Sequence, residues 1–239
     1  MKIALLLFGQ PRNIENNLVY ESYKKWVISK YETDVFAHVW YEPNQVFKPS
    51  TWTKLKNIEC NPATLDILKS SYNPVRMEDE IPKQFKLNEK YRTSVKFSKF
   101  SHFNDHNINN IISQLYSIDR VCEIFKKYCN ETDNKYDFII LGRYDLIIEE
   151  FPNIIDLDKQ YFYTMNHHPR FPDLFFIFNP QFLDTQNTYN NLDKLCEKLI
   201  SSDKDFWDFS VECLKFNNFI RFKDRNLIRG VFIKETRNI

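Results

Sequence analysis

Lys2 to Phe8 (KIALLLF) is a short continuous apolar run closed by Gly9 and Pro11. A run of that length without polar alternation is the pattern of a strand buried on both faces, as in a parallel sheet. From Asn13 to Lys30, Ile14, Leu18, Trp26 and Val27 recur at roughly helical spacing, and Asn13 is the expected N-cap. Thr33 to Trp40 (TDVFAHVW) then returns to an extended, β-branched and aromatic pattern. Strand, helix and strand in this order form a parallel, right-handed unit, and the ligands of such sheets lie outside the carboxyl ends of the strands. The loop Gly9-Gln10-Pro11-Arg12 falls at that place.

With 239 residues, 43% of them hydrophobic and 16% aromatic, the chain has the material for one large core, and disorder is excluded. Only 3 glycines are present. That number excludes P-loop and dinucleotide-binding fingerprints, which need several glycines within a few residues for backbone N–H groups to approach phosphates. The 33 basic against 32 acidic residues leave a net charge of +1, so no nucleic-acid partner is expected and any anionic ligand must be held locally. No run approaches the ~18 apolar residues of a membrane-spanning helix, so no transmembrane segment is expected. The 5 cysteines are far apart and form no CxxC pair, which points to neither zinc nor a disulfide framework and sets a cytoplasmic expectation.

Further along, Tyr41 to Lys54 reads as loop, Lys56 to Cys60 as a third strand, and Ala63 to Ser71 as a helix led by Asn61-Pro62. Residues 80–106 read as an irregular excursion, a candidate lid. Ile108 to Cys129 is a long amphipathic helix. Tyr136 to Ile148 is strand-like, with a break at Gly142-Arg143-Tyr144-Asp145. Tyr161 to Met165 and Leu174 to Phe178 read as strands around the polar corner 166–170, followed by helices at Thr185 to Ile200 and Phe206 to Phe219 and a strand pair between Phe219 and Ile233. No repeat or linker divides the chain, so a single α/β domain over 1–239 is expected.

Arg143 and Asp145, two apart after a buried strand, face the same side of an extended chain. They read either as a buried ion pair or as a diphosphate contact and a metal ligand.

The ordered set LLLFGQPR, DVFAHVW, SQLYSIDR, YDFIILGRYDL and PDLFFI, over roughly residues 1–180, resembles a family of small GT-A-type glycosyltransferases of surface-polysaccharide clusters and large viruses. The resemblance implies a GT-A-like fold: a Rossmann-like nucleotide-binding half at about 1–150 with a mixed central sheet flanked by helices, and an acceptor half at about 151–239. It implies a nucleoside diphosphate sugar as donor, a glycan as acceptor, and the cytoplasm (a host's, if viral) as location. Gly9, Gln10, Pro11 and Arg12 map onto the loop that holds the nucleotide; Arg12 suits a diphosphate, and otherwise reads as an exposed loop arginine. Alternation puts Asp34 and His38 on one face, toward the ribose or base, although a histidine near a strand end also reads as a satisfied core residue. The helix carrying Ser113, Gln114 and Tyr116 maps beside the donor sugar, or is simply packed on the sheet.

The family's metal motif, Asp-x-Asp, has Arg143 at its first acidic position here. Asp145 is left to hold Mn²⁺ or Mg²⁺, or else Arg143 itself neutralises the leaving diphosphate. If the anomeric configuration inverts, the reaction needs a base, and Asp173, in a turn ahead of an apolar strand, is the best-placed carboxylate; it reads otherwise as a turn or capping Asp. Of His167 and His168, on opposite sides of an extended segment, one serves a metal or the acceptor. Two other functions fit the sequence. A sugar-phosphate nucleotidyltransferase is disfavoured because Gly9 stands alone; a non-catalytic glycan- or protein-binding module is favoured by the incomplete metal motif.

Overall fold

A computed structural model describes residues 1–12, 14–48, 57–165, 171, 173–201 and 207–237. The expected cap Asn13, the corner 166–170 with His167 and His168, Pro172 and the expected helix start Phe206 lie outside the described residues.

In chain order the elements are β1 (Lys2–Gly9), α1 (Leu18–Tyr23), β2 (Glu32–Trp40), β3 (Val46–Phe47), β4 (Ile58–Glu59), α2 (Thr64–Tyr72), β5 (Arg76–Glu80), α3 (Glu89–Arg92) and α4 (Val95–Ser98). The second half adds α5 (Asp105–Thr132), β6 (Phe138–Arg143), β7 (Leu146–Glu150), β8 (Phe162–Met165), β9 (Phe175–Phe178), α6 (Leu192–Ser201), α7 (Val211–Phe222), β10 (Ile228–Val231) and β11 (Lys234–Arg237). The main sheet has 7 strands in the order β10-β8-β9-β6-β1-β2-β5. All run the same way except β9, which is antiparallel to both neighbours. The expected α/β class, with a mixed central sheet flanked by helices, is the one observed.

β1 is central because it can be: Ile3 to Leu7 are fully buried, and the two faces of the strand feed two different cores. Ile3, Leu5 and Leu7 pack with Val19 and Tyr23 of α1 and Leu68 and Tyr72 of α2. Ala4, Leu6 and Phe8 pack with Ile118, Val121 and Phe125 of α5. A third cluster joins α3 and α4 to the amino-terminal half of α5 and to α6. The irregular excursion therefore contains two short helices seated on a hydrophobic base.

Several sequence expectations need correction. α1 begins at Leu18, which is 55% exposed, because Val19, Ser22 and Tyr23 are the residues that face the sheet; past Tyr23 the helix runs on as a π-helical turn, Lys24–Ile28. Lys56 lies outside the described residues, and of 57–60 only β4 is strand, paired with β3 in a separate two-stranded ladder. The third neighbour of the main sheet is β5, a polar edge strand (RMEDE) with no apolar alternation to reveal it. The helix expected from Thr185 starts at Leu192, after a 3-10 turn over Pro180–Gln186. α7 continues to Phe222, and β10 and β11 do not pair with each other: β10 extends the main sheet beside β8, and β11 pairs antiparallel with β7.

The break in YDFIILGRYDLII also moves. Gly142 is inside β6, and the chain turns at Tyr144-Asp145. Glycine is required at 142 for space: a Cβ there would fall within contact of the Tyr23 hydroxyl and 3.1 Å from two ring carbons of Phe175. Tyr23 is fully buried and donates its hydroxyl to the Arg143 carbonyl at 3.1 Å. Gly142→Ala should therefore displace that hydroxyl as well as overpack the core, destabilising the fold by at least ~1–3 kcal/mol. Urea unfolding would show this as a lowered midpoint, and an unchanged midpoint would contradict the packing described.

Candidate active site

The topology brings four segments to one edge of the sheet. β1 and β6 end there at Gly9 and Arg143, and because β9 is antiparallel, Asp173, two residues before its start, stands at the same edge. α5 packs across β1 and β2 and contributes Gln114 from its amino-terminal half.

Gly9 leaves β1 with φ +101°, a backbone region that strains any side chain with a Cβ. Pro11 is buried, and the turn closes with the Arg12 N–H donating to the Gln10 carbonyl at 3.0 Å. The Arg12 side chain folds back on the same residue, its Nε and Nη2 donating to Gln10 Oε1 at 3.2 and 2.9 Å. This places Arg12 Nη1 3.7 Å from Asp145 Oδ2. Asp145, 3% exposed, accepts the Arg143 fork on both oxygens: Nε to Oδ1 at 2.8 Å and Nη2 to Oδ2 at 2.7 Å. Burial works against the Arg143 charge, but the Asp145 carboxylate outweighs it and holds the guanidinium above its ordinary pKa.

On the far side of Arg143, Nη1 stands 3.9 Å from Asp173 Oδ2. Asp173 is fixed by Gln114, whose Nε2 donates to Oδ2 at 2.8 Å and to the Asp173 carbonyl at 3.3 Å. Glu212, in the first turn of α7, lies close enough to feel that charge. Burial and then Asp173 push its carboxyl up to about 7. Sequence reasoning passed over Glu212 as a site residue, since an acid in the first turn of a helix is ordinary helix chemistry. Its signal was an ionisable group set between Val211 and Cys213, both buried.

Beside the arginines lies a cleft of about 940 Å³, which Gln10 and Ser113 enter from this edge; Gln45, Gln84, Phe85 and Asn109 line it further out. Arg12, Arg143 and Asp173 are not in its lining, so the charged cluster and the cleft adjoin at Gln10 and do not coincide.

No protein-family model matches the chain, and a comparison with curated protein sequences returns no match. Among solved structures, the chain is similar to that of the galactosyltransferase LgtC in complex with donor and acceptor sugar analogues, at 11% identity and a TM-score of 0.41, covering 95% of this chain and 72% of that one. Among the described residues, no helix is long and apolar enough to cross a membrane.

Of the residues singled out in the sequence, Gln10, Arg12, Gln114, Arg143, Asp145 and Asp173 come together, and Gly9 and Pro11 shape the turn. Asp34 does not join them. It sits near the amino end of β2, where it pairs with Lys2 at 3.0 Å and accepts from the Tyr136 hydroxyl at 2.6 Å. His38 is at the ligand edge but fully buried, with Nδ1 2.7 Å from Ser117 Oγ and Nε2 3.2 Å from Glu80. A carboxylate only accepts, so Nε2 carries the proton and Nδ1 accepts from the serine. Both nitrogens are used, and His38 ties β2 to β5 and α5 instead of facing ribose. Tyr116 stacks on Trp40 at 5.4 Å, donates to Glu80 at 3.0 Å and accepts from Lys83, a brace behind the cleft.

The divalent cation implied at Asp145 does not fit this donor set. Each of its oxygens already accepts from the Arg143 fork, and a second guanidinium stands alongside to repel a cation. Among the described residues, no three His, Cys, Asp or Glu side chains come together as a ligand group.

The His38 network gives a pH prediction. Burial lowers the imidazole from 6.5 to about 4, although the Glu80 hydrogen bond pulls the other way. Between those values the unfolded chain binds a proton that the folded chain excludes. Stability is therefore complete above pH 6.5 and falls as pH drops toward 4, by on the order of 3 kcal/mol at the end of the window. Urea unfolding at pH 5 and pH 7 should show a smaller loss for His38→Gln than for the parent; equal losses would contradict the assignment.

Proposed function

We infer that the chain is a GT-A-like glycosyltransferase over its whole length, with the nucleotide taken by about 1–150 and the acceptor by about 151–239. It moves a sugar from a nucleoside diphosphate donor to a glycan hydroxyl. The observation that carries this is the convergence of Arg12 and Arg143 at the ends of β1 and β6, with Asp173 held by Gln114 on their far side. Two guanidinium groups at the carboxyl edge of a largely parallel sheet suit an anion with paired phosphates. The neighbouring cleft, entered at Gln10 and Ser113 and lined by carboxamides together with charged side chains such as Lys83 and Arg92, has the room and the polar partners for the nucleoside. The order of the sequence motifs supports the same reading.

In this reading the diphosphate lies against the arginines and the sugar between them and Gln114. For displacement with inversion, Asp173 takes the proton of the attacking hydroxyl while the bond from the anomeric carbon to phosphate oxygen breaks. The arginines meet the charge that grows on the leaving diphosphate.

Arg12→Ala tests the donor half of this reading. Calorimetry with UDP, GDP, ADP and CDP, each beside its nucleoside, should find one diphosphate that binds the parent. The variant should lose ~1.5–3 kcal/mol toward that diphosphate and almost nothing toward the nucleoside. Equal losses would mean that Arg12 serves the base or the fold.

A further inference from the structure

We propose that this site binds and expels its nucleoside diphosphate without a divalent cation, the Arg143–Asp145 fork occupying the place of the metal and its carboxylate. The inference rests on the glycosyltransferase reading above and concerns only how the leaving group is neutralised.

A hard divalent ion needs carboxylate oxygens with open lone pairs. Each Asp145 oxygen already accepts an N–H of Arg143, at 2.8 and 2.7 Å, and the residue is 3% exposed. A cation entering there would compete with the fork for the same carboxylate and sit beside two guanidinium groups, Arg143 and Arg12. The same fork leaves Arg143 Nη1 outside the pair. It makes no hydrogen bond to a described residue, and the Asp173 oxygen 3.9 Å away is beyond hydrogen-bond reach. An arginine gripped through Nε and Nη2 can present only that edge, in a fixed orientation. Arg12 is held in the same manner, through Nε and Nη2 on Gln10, with its Nη1 turned toward the same carboxylate. The Arg143 Nη1 edge, directed toward Asp173, and the Arg12 guanidinium, directed toward Asp145, thus flank the Arg143–Asp145 fork at the end of β1 and β6.

Asp145 is then a positioning residue. It fixes Arg143 so that no reorganisation is needed when charge develops. As the acceptor oxygen bonds to the anomeric carbon, the electron pair of the breaking carbon–oxygen bond passes to the terminal phosphate oxygen. The N–H groups of the arginines receive that charge, and the hydroxyl proton goes to Asp173. Atoms and charge balance with no further cation.

The test is calorimetric titration of the intact chain with UDP, GDP, ADP and CDP in excess EDTA and again in excess Mn²⁺. The diphosphate that binds should do so in EDTA with an affinity within about threefold of that in Mn²⁺. Arg143→Lys keeps a cation for Asp145 but loses the planar fork; it should weaken binding about tenfold or more in both buffers, with nucleoside affinity unchanged. Binding that requires Mn²⁺ would overturn the proposal and leave the glycosyltransferase reading standing. Absence of binding by every diphosphate in both buffers would overturn the two together. Parent-like affinity of Arg143→Lys in EDTA would also overturn the proposal.

Discussion

Asp145→Asn is expected to melt on the order of 10 °C below the parent, corresponding to a loss of ~3–5 kcal/mol for a charge stranded in a buried pair. Arg143 presents two N–H groups to Asp145, and both carboxylate oxygens accept. A carboxamide has one acceptor oxygen, and its NH₂ would meet the second N–H head-on. Arg143 would be left 16% exposed with its charge opposed at best by Asp173, 3.9 Å away. Differential scanning calorimetry of the variant decides the matter. Were Asp145 a solvent-facing metal ligand, the variant would melt with the parent and lose only its response to Mn²⁺.

Asp173→Asn should leave the melting temperature nearly unchanged and lower turnover by about 10²- to 10⁴-fold, the usual contribution of a positioned general base. The asparagine oxygen can still accept from Gln114, so the local structure survives, but it cannot take a proton. Diphosphate affinity should change little, since the arginines proposed to hold the phosphates keep Asp145. With the Asp173 charge gone, the Glu212 carboxyl also loses one of the causes that raise it to about 7. Parent-like turnover would remove Asp173 from the chemistry.

The central strands were readable because they are buried on both faces: an apolar run such as ALLLF has few other solutions in a chain of this size. β5 escaped notice for the converse reason, being a charged edge strand paired on one side only. Periodicity correctly put Asp34 and His38 on one face, but face is only half of a position. Asp34 pairs with Ala4, near the start of β1, and His38 with Phe8, near its end, so only one of them reaches the ligand edge. The Arg143–Asp145 pair shows a different limit. Spacing says that two side chains share a side, and cannot say whether they turn to a ligand or to each other; that was decided by the turn at Tyr144-Asp145. Asp173 became visible as a site residue through the strand that follows it, whereas its partnership with Glu212 joins residues far apart in the chain and depends on how α7 docks.

Release of nucleoside diphosphate from a panel of nucleotide sugars, measured with the intact chain and with water as the only acceptor, bears most directly on the central claim. One donor class should be hydrolysed slowly but above the protein-free rate, and Asp173→Asn should abolish that release. Binding of a nucleoside diphosphate with no release from any nucleotide sugar, even when oligosaccharide acceptors are added, would contradict the claim and describe a binding module instead.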